Sequence, residues 1–439
     1  MYNSINASLG PNSPTSFDIG TLEQRETNLN ADFVYLADLG LSSPVNVAFG
    51  AERREEIYEI GAGEEASWAI GAGAAEGLPT GSNGFRGFEP RQAGEFSQES
   101  YAAYVDIEAP ITTAWTVGGA LRFEDYSEFG NTTTGKLSTR YEITPELAVR
   151  ATASTGFRAP TPGELFSEST GQGLDTRTLE VFTNGRFSPE GPVADIIAKR
   201  DGVTLTSLEP EESESYTLGL AYQNNAGFSG SIDLYKVEIT DAIGSSGGFT
   251  LTAAERQALK DAGVPGGGTF NSVSFFQNGD GNEVQGVDVV GSYRLGLQSG
   301  DLTFTGAYNY NERKSTSGSA DEDRRYERQL PQHTANVTAT YITGPVEVFG
   351  RLRYYGEWTD FSDNANGQIY QDFGAKAFID VGLTYNVTDN YSVRVGAENV
   401  FDAYPDEATY QANRGLIYSR NAPYDTDGGN YYIRLDAKF

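Results

Sequence analysis

The chain has 439 residues, with 31 Lys and Arg against 61 Asp and Glu, a formal net charge of -30, one His, no Cys and one Met. That charge repels a phosphate backbone and excludes nucleic acid as a partner. With a single His and no Cys, most His-based triads, Cys nucleophiles and the common zinc constellations drop out, so no cofactor or metal is expected.

Mean hydropathy is negative, and no apolar run approaches the ~18 residues of a spanning helix. Membrane strands survive this test, because they show lipid on every second residue only. The 26 Tyr, 24 Phe and 52 Gly favour strands and turns over packed helices. Composition is even along the chain, which implies one continuous architecture. Met1 to Pro14 has neither a basic leader nor an apolar core. The expectation is therefore a chain that lacks the front of an exported precursor, or that begins at an internal methionine.

Residues 1–23 read as the remnant of an outer loop or strand end, and 24–439 as a run of about fifteen strands. Trp115, Val117, Leu121 and Phe123 alternate with Thr116, Gly118, Ala120 and Arg122. Tyr216, Leu218, Leu220 and Tyr222 alternate with Ser215, Thr217, Gly219 and Ala221, and Leu302, Phe304 and Tyr308 share a face opposite Thr303, Thr305 and Asn309. One face suits lipid and the other a polar lumen. Tight breaks fall at Leu39 to Ser43, Ala109-Pro110, Thr144-Pro145, Asn224-Asn225, Leu297 to Gly300, Gly344-Pro345 and Thr388 to Asn390. Between them lie long connections at Ile57 to Glu95, Phe157 to Pro210, Thr240 to Asn282, Asn311 to Leu330, Trp358 to Ala375 and Val400 to Gly429. Strict alternation of short and long connections is the pattern of a membrane barrel, short turns at one rim and long loops at the other. Thr252 to Glu255 has the capping-box spacing and Gly263 then Pro265 a stop, which predicts a short helix inside one loop.

At Thr155-Gly156-Phe157-Arg158-Ala159-Pro160, followed by Gly163-Glu164-Leu165-Phe166, the chain resembles TonB-dependent outer-membrane receptors. Supporting resemblances follow in family order: Leu208-Glu209-Pro210-Glu211, Asn278-Gly279 before Glu283 to Asp288, Leu330 to Thr334, and Glu398-Asn399-Val400-Phe401-Asp402. The last segment places Tyr431, Ile433, Leu435, Ala437 and Phe439 on one face, an ending similar to the signal read by the barrel-insertion machinery. The resemblance implies an all-β, antiparallel transmembrane barrel, here about fifteen of roughly 22 strands, without plug domain or TonB box. It further implies the outer membrane of a Gram-negative bacterium, contact with lipid and lipopolysaccharide, and a TonB-ExbB-ExbD complex reached only through the missing N-terminal parts. The imported ligand would be a ferric siderophore, a cobalamin or a glycan.

Other readings stay open beside it. As written, the chain could act as a passive pore, since nothing in it would plug a lumen. An outer-membrane enzyme built on His333 lacks a Gly-x-Ser-x-Gly elbow and is disfavoured. Asn278 to Glu283 starts like a calcium loop, but Glu283 stands where glycine is required, so a turn is expected. Gly71 to Gly77 lacks the context of a dinucleotide site and reads as a flexible loop. Arg351, Arg353 and Tyr355 share an inward face with Glu347 and Phe349, a ladder suited to charge balance or to an anionic ligand. Candidate ligand contacts are Arg158, Arg351, Arg353, Tyr355, Trp358, Tyr370 and Tyr418, with Phe361, Tyr404, Tyr410 and Tyr424 as further loop aromatics.

Overall fold

A computed structural model describes residues 5–174, 181–201, 207–264, 266–315, 320–361, 370–409 and 416–438. Alternating residues along the chain become one sheet of fifteen strands. In chain order they are β1 (Gly20–Ala37), β2 (Val45–Ala62), β3 (Gly94–Thr112), β4 (Trp115–Tyr126) and β5 (Gly130–Thr144). Next come β6 (Leu147–Arg158), β7 (Glu211–Gln223), β8 (Phe228–Thr240), β9 (Asn282–Leu297) and β10 (Gly300–Ser315). The sheet ends with β11 (His333–Thr343), β12 (Val346–Tyr355), β13 (Lys376–Asn386), β14 (Tyr391–Glu398) and β15 (Asn430–Ala437). Each is antiparallel to its chain neighbours, and among the described residues no ladder joins β1 to β15.

Register fixes the two faces. Val105 sits opposite Leu121, Leu121 opposite Gly135, and Val395 opposite Leu383 and Ile433, which gives a continuous aliphatic outward face. Rings bound this band. Trp115 pairs with Tyr141 near the short turns, joined there by Tyr222, Tyr385 and Tyr391. Tyr101, Tyr216, Tyr308, Tyr354 and Tyr431 lie towards the long loops. Two aromatic girdles around an aliphatic band are what a bilayer with two interfaces selects. On the inward face, Arg122 lies across from Tyr104, Asp233 from Asp288, and Thr338 from Arg351.

The connections alternate with one exception. Ser127 to Phe129 joins β4 to β5 at the long-loop end in a three-residue turn, so strict alternation is corrected there. The Ala109-Pro110 break is also displaced. β3 runs on to Thr112, and its ladder shifts register between Pro110 and Thr112. A bulge is where a strand tolerates a residue without an N–H, so the proline bends the strand end rather than terminating it. At Gly344, φ is +53°, the left-handed conformation that glycine adopts freely, and Pro345 follows to close that turn.

The long loops are folded. The helix Ala253–Asp261 carries the expected capping box, Thr252 and Glu255 each receiving the other's backbone N–H. Gly71 to Gly77 forms a 3-10 turn at Ala72–Glu76, closed by Gly77 in the left-handed region.

Candidate functional site

The long-loop end is the only part of the described chain where side chains pack into compact cores, and they form two assemblies. The first joins segments 5–19, 63–93, 159–174, 181–201, 241–264 and 266–281. Asn6 Nδ2 donates to the carbonyls of Ala66 and Ala69 at 3.0 and 2.9 Å, tying the segment before β1 to the loop after β2. Arg91 meets Glu168 at 2.9 Å across the next pair of loops. Burial is the main influence on Glu168 and pushes its carboxyl up, against the pull of Arg91. Arg86 is buried too, against Glu89 at 2.5 Å and the Trp68 carbonyl at 2.8 Å, and burial holds its guanidinium below the usual range.

Within that assembly the loops after β6 and β8 share one hydrophobic core. Val193, Ala194 and Ile197 from the helix Pro192–Asp201 meet Leu259 from the helix Ala253–Asp261, together with Phe187, Leu251, Phe270 and Phe275. Segment Ser272–Asn278 pairs in parallel with Val181–Phe187, so two loops from different hairpins make a single sheet. Sequence reasoning missed this unit. Its trace was the i, i+1, i+4 spacing of Val193, Ala194 and Ile197.

The second assembly joins the loops after β10, β12 and β14. Trp358 stacks on Phe373 at 4.5 Å and donates from Nε1 to the Tyr424 hydroxyl at 3.1 Å. Phe378 and Tyr355 close the cluster. Burial pushes the Tyr424 phenol up. Polar links hold the periphery: Ser419 and Asn421 donate to Asp360, and Lys376 Nζ to Asp406 Oδ1 at 2.7 Å.

Against this geometry the sequence candidates separate. Trp358, at 3% exposure, is core, so its ring is closed to a ligand while the loop is packed. Tyr355 packs edge-on against Phe378 and Tyr424. Arg158 bridges Glu164 at 3.0 Å and Glu211 at 2.8 Å, fastening the end of β6 to the short helix Pro162–Phe166 and to the start of β7. Arg353 grips Asp380 through two bonds, 2.8 and 2.9 Å, and Asp380 also accepts the Asn399 backbone N–H at 2.9 Å. Arg351 lies beside this pair with its guanidinium 5.6 Å over the Phe349 ring. Tyr370 carries the Arg324 guanidinium on its face at 4.3 Å, and Tyr418 stacks on Tyr404 at 5.9 Å. Arg158 stays exposed despite its two ion pairs, and Arg351, Tyr370 and Tyr418 are half-buried; Phe361 has no described side chain, and Tyr410 lies outside the described residues.

The motif residues serve the scaffold. Gly156 faces Ser213 in the β6–β7 ladder, Phe157 meets Tyr126 edge-on at 5.9 Å, Ala159 leads out of the strand, and Pro160 is fully buried, its carbonyl accepting from Gln98 at 3.3 Å. Asn399 and Asp402 take positive φ, 49° and 54°, turning the chain out of β14. Asn399 then exchanges two bonds with Ala403, and Asp402 Oδ1 accepts from Gly429 N–H at 2.8 Å. Phe401 projects outward at 77% exposure. Phe439 lies outside the described residues. Asn278 acts as a staple between Glu209 and Asp241 rather than as a ligand arm, and no metal-ligating cluster occurs among the described residues. His333 faces outward between Tyr308 and Tyr310, its Nδ1 2.8 Å from the Tyr308 hydroxyl.

An aliphatic band between aromatic girdles, a polar inward face and packed loops at one rim define the wall of a membrane β-barrel. The sequence matches the family described as "TonB dependent receptor-like, beta-barrel" over residues 1–400, and the chain belongs to that family. It is 26% identical over 332 residues to the vitamin B12 transporter BtuB of Photobacterium profundum, a match covering 75% of this chain and 43% of that protein. It is 23% identical over 346 residues to an iron-regulated outer membrane virulence protein of Vibrio cholerae, covering 78% and 45%. Among solved structures, a variant of the ferric enterobactin receptor PfeA of Pseudomonas aeruginosa superposes with a TM-score of 0.64 at 14% identity, over 98% of this chain and 55% of that one. The siderophore receptor PirA of Acinetobacter baumannii gives 0.61 at 17% identity, over 95% and 55%. The chain thus spans about half the length of the relatives it matches. By their names these relatives are a transporter, two receptors and an iron-regulated outer membrane virulence protein, not enzymes.

Proposed function

We propose that this chain supplies wall and ligand-facing loops to an active-transport receptor in the outer membrane of a Gram-negative bacterium. Its cargo would be a scarce, bulky nutrient of the siderophore, cobalamin or glycan class. The observation that carries the reading is the pair of packed loop assemblies standing over a polar inward face. Loops held by their own cores present a preformed surface, which lowers the ordering cost of capturing a dilute ligand. Segment 24–439 would be the barrel part and 1–23 the remnant of an outer loop or strand end. Coupling to TonB-ExbB-ExbD would run through a plug domain outside this sequence, while lipopolysaccharide and the insertion machinery would meet the outward face.

The test is uptake by cells whose only receptor is the complete protein, supplied in turn with radiolabelled ferric catecholate siderophore and radiolabelled cobalamin, with and without TonB. Accumulation that needs both the receptor and TonB supports the proposal. Accumulation of small solutes independent of TonB, with steady ohmic current in a planar bilayer, would establish the passive pore instead.

A further inference from the structure

The wall carries a fork. The ladder between β5 and β6 ends at Lys136 and Ser154. Above that point β5 continues to Gly130 paired with β4, and β6 continues to Arg158 paired with β7. At the base of the fork a side chain replaces the ladder, Gly135 N–H donating to Thr155 Oγ1 at 3.0 Å. Higher up, the facing backbone edges of Asn131 to Thr133 and of Thr155 to Phe157 lack each other as partners.

A cavity of about 270 Å³ fills the fork, with Thr133 and Thr155 on its sides and Glu212, Glu214 and Glu238 at its margin. Lys236 leans on Glu238 at 3.6 Å, and Glu214 accepts the Tyr216 hydroxyl at 2.8 Å. No Lys or Arg lines the cavity. Directly below, on the outward face, lies a second hollow of about 560 Å³ walled by Val105, Leu121, Leu137, Ala153 and Tyr216. Gly119 and Gly135 form its floor, since at the level of the aliphatic band they leave bare backbone where neighbouring strands carry leucine. Thr155 and Glu214 line both hollows, so the two adjoin, with Lys136 lining the lower one.

An open sheet edge at a bilayer rim is costly unless something satisfies its polar groups. The open edges present N–H and C=O groups alike, so it is the carboxylates of Glu212, Glu214 and Glu238 at the margin that favour a donor head, and the aliphatic trough below that favours an apolar body. We propose that the fork and trough form a binding site for a single-chain amphiphile with an ammonium head, the head seated near Glu212 and Glu214 and the chain lying between Leu121, Leu137 and Ala153. The acidic margin selects against carboxylate and phosphate heads, because like charges are repelled where the medium is poorly screened.

The test uses the complete receptor in phosphatidylcholine nanodiscs with spin-labelled alkyl chains of equal length carrying an ammonium, a hydroxyl or a carboxylate head. The immobilised fraction reports binding. The ammonium chain is expected to associate at least about tenfold more strongly than the carboxylate chain, and the Glu212→Gln, Glu214→Gln double variant to bring the two within about twofold. Ala153→Phe, which fills the trough from β6, is expected to abolish immobilisation while the heat-modifiable migration of the folded barrel persists. Mass spectrometry of the protein as purified separates the sources: an amine-headed lipid already bound points to the membrane, and a site filled only on addition points to a free amphiphile. Equal immobilisation of carboxylate and ammonium chains, or ammonium binding unchanged in both variants, would overturn the site.

Discussion

Replacing Arg353 by Met keeps the aliphatic stem and deletes only the fork that grips Asp380. Asp380 is 3% exposed, and its carboxylate would be left with one donor, the Asn399 N–H. Breaking a buried pair by removing one partner typically costs about 3–5 kcal/mol. Arg353 keeps partial access to solvent in its side chain, so the lower end, about 3 kcal/mol, is expected here. Asp380→Asn leaves a cation that water reaches from the lumen, and about 1–2 kcal/mol is expected. Because the two side chains share one interaction, the double variant is expected to cost about 1.5 kcal/mol or more less than the sum of the singles. The assay is reversible guanidinium unfolding of the complete receptor in phospholipid vesicles, read by tryptophan emission and by heat-modifiable migration. A cost below about 1 kcal/mol for Arg353→Met, or a coupling below about 0.5 kcal/mol, would mean that lumen water already satisfies the pair.

Leu259→Ala removes a fully buried side chain from the shared loop core, at an expected cost of about 2–5 kcal/mol. Hydrogen exchange is expected to rise together in segments 181–201 and 249–275, and a rise confined to the second segment would refute the shared unit. Trp358→Ala is expected to open the second assembly, exposing segments 370–378 and 416–424 to limited proteolysis while the sheet stays intact. Resistance equal to the parent would count against a single aromatic core. Lys376 and the Gly374 N–H hold the Asp406 carboxyl below its ordinary range. A depressed carboxylate contributes stability above its unfolded pKa, about 3.9, and loses it as pH falls through the folded value. Protection of segment 399–409 is therefore expected to be steady from neutral pH down to about 4 and to fall below it, and Asp406→Asn is expected to remove that acid step.

The wall was legible in the sequence because a strand declares its faces locally. Tyr216 to Tyr222 reads the same in isolation as in the sheet, and the Thr252 cap needs only its own helix. What sequence reading lacked was partnership between distant segments. Arg353 could be placed on the inward face, but its bond to Asp380 depends on the register of a strand 27 residues away. Trp358 looked like a loop aromatic free to stack on cargo, and became core because Phe373 and Tyr424 return to it from later loops. The bulge at Pro110 escaped for the converse reason: proline marks a break in an isolated strand, while the end of a paired strand can absorb it with one unpaired residue.

The parallel pairing of Ser272–Asn278 with Val181–Phe187 ties two hairpins that are otherwise independent along the chain. A loop with its own core is free to lengthen, shorten or be exchanged between relatives, since only its strand ends must fit. These two have given up that freedom. Any insertion in one is also an edit to the other's interior, so the pair is expected to drift as a single heritable block, and a chimaera that imports one loop alone inherits half a core.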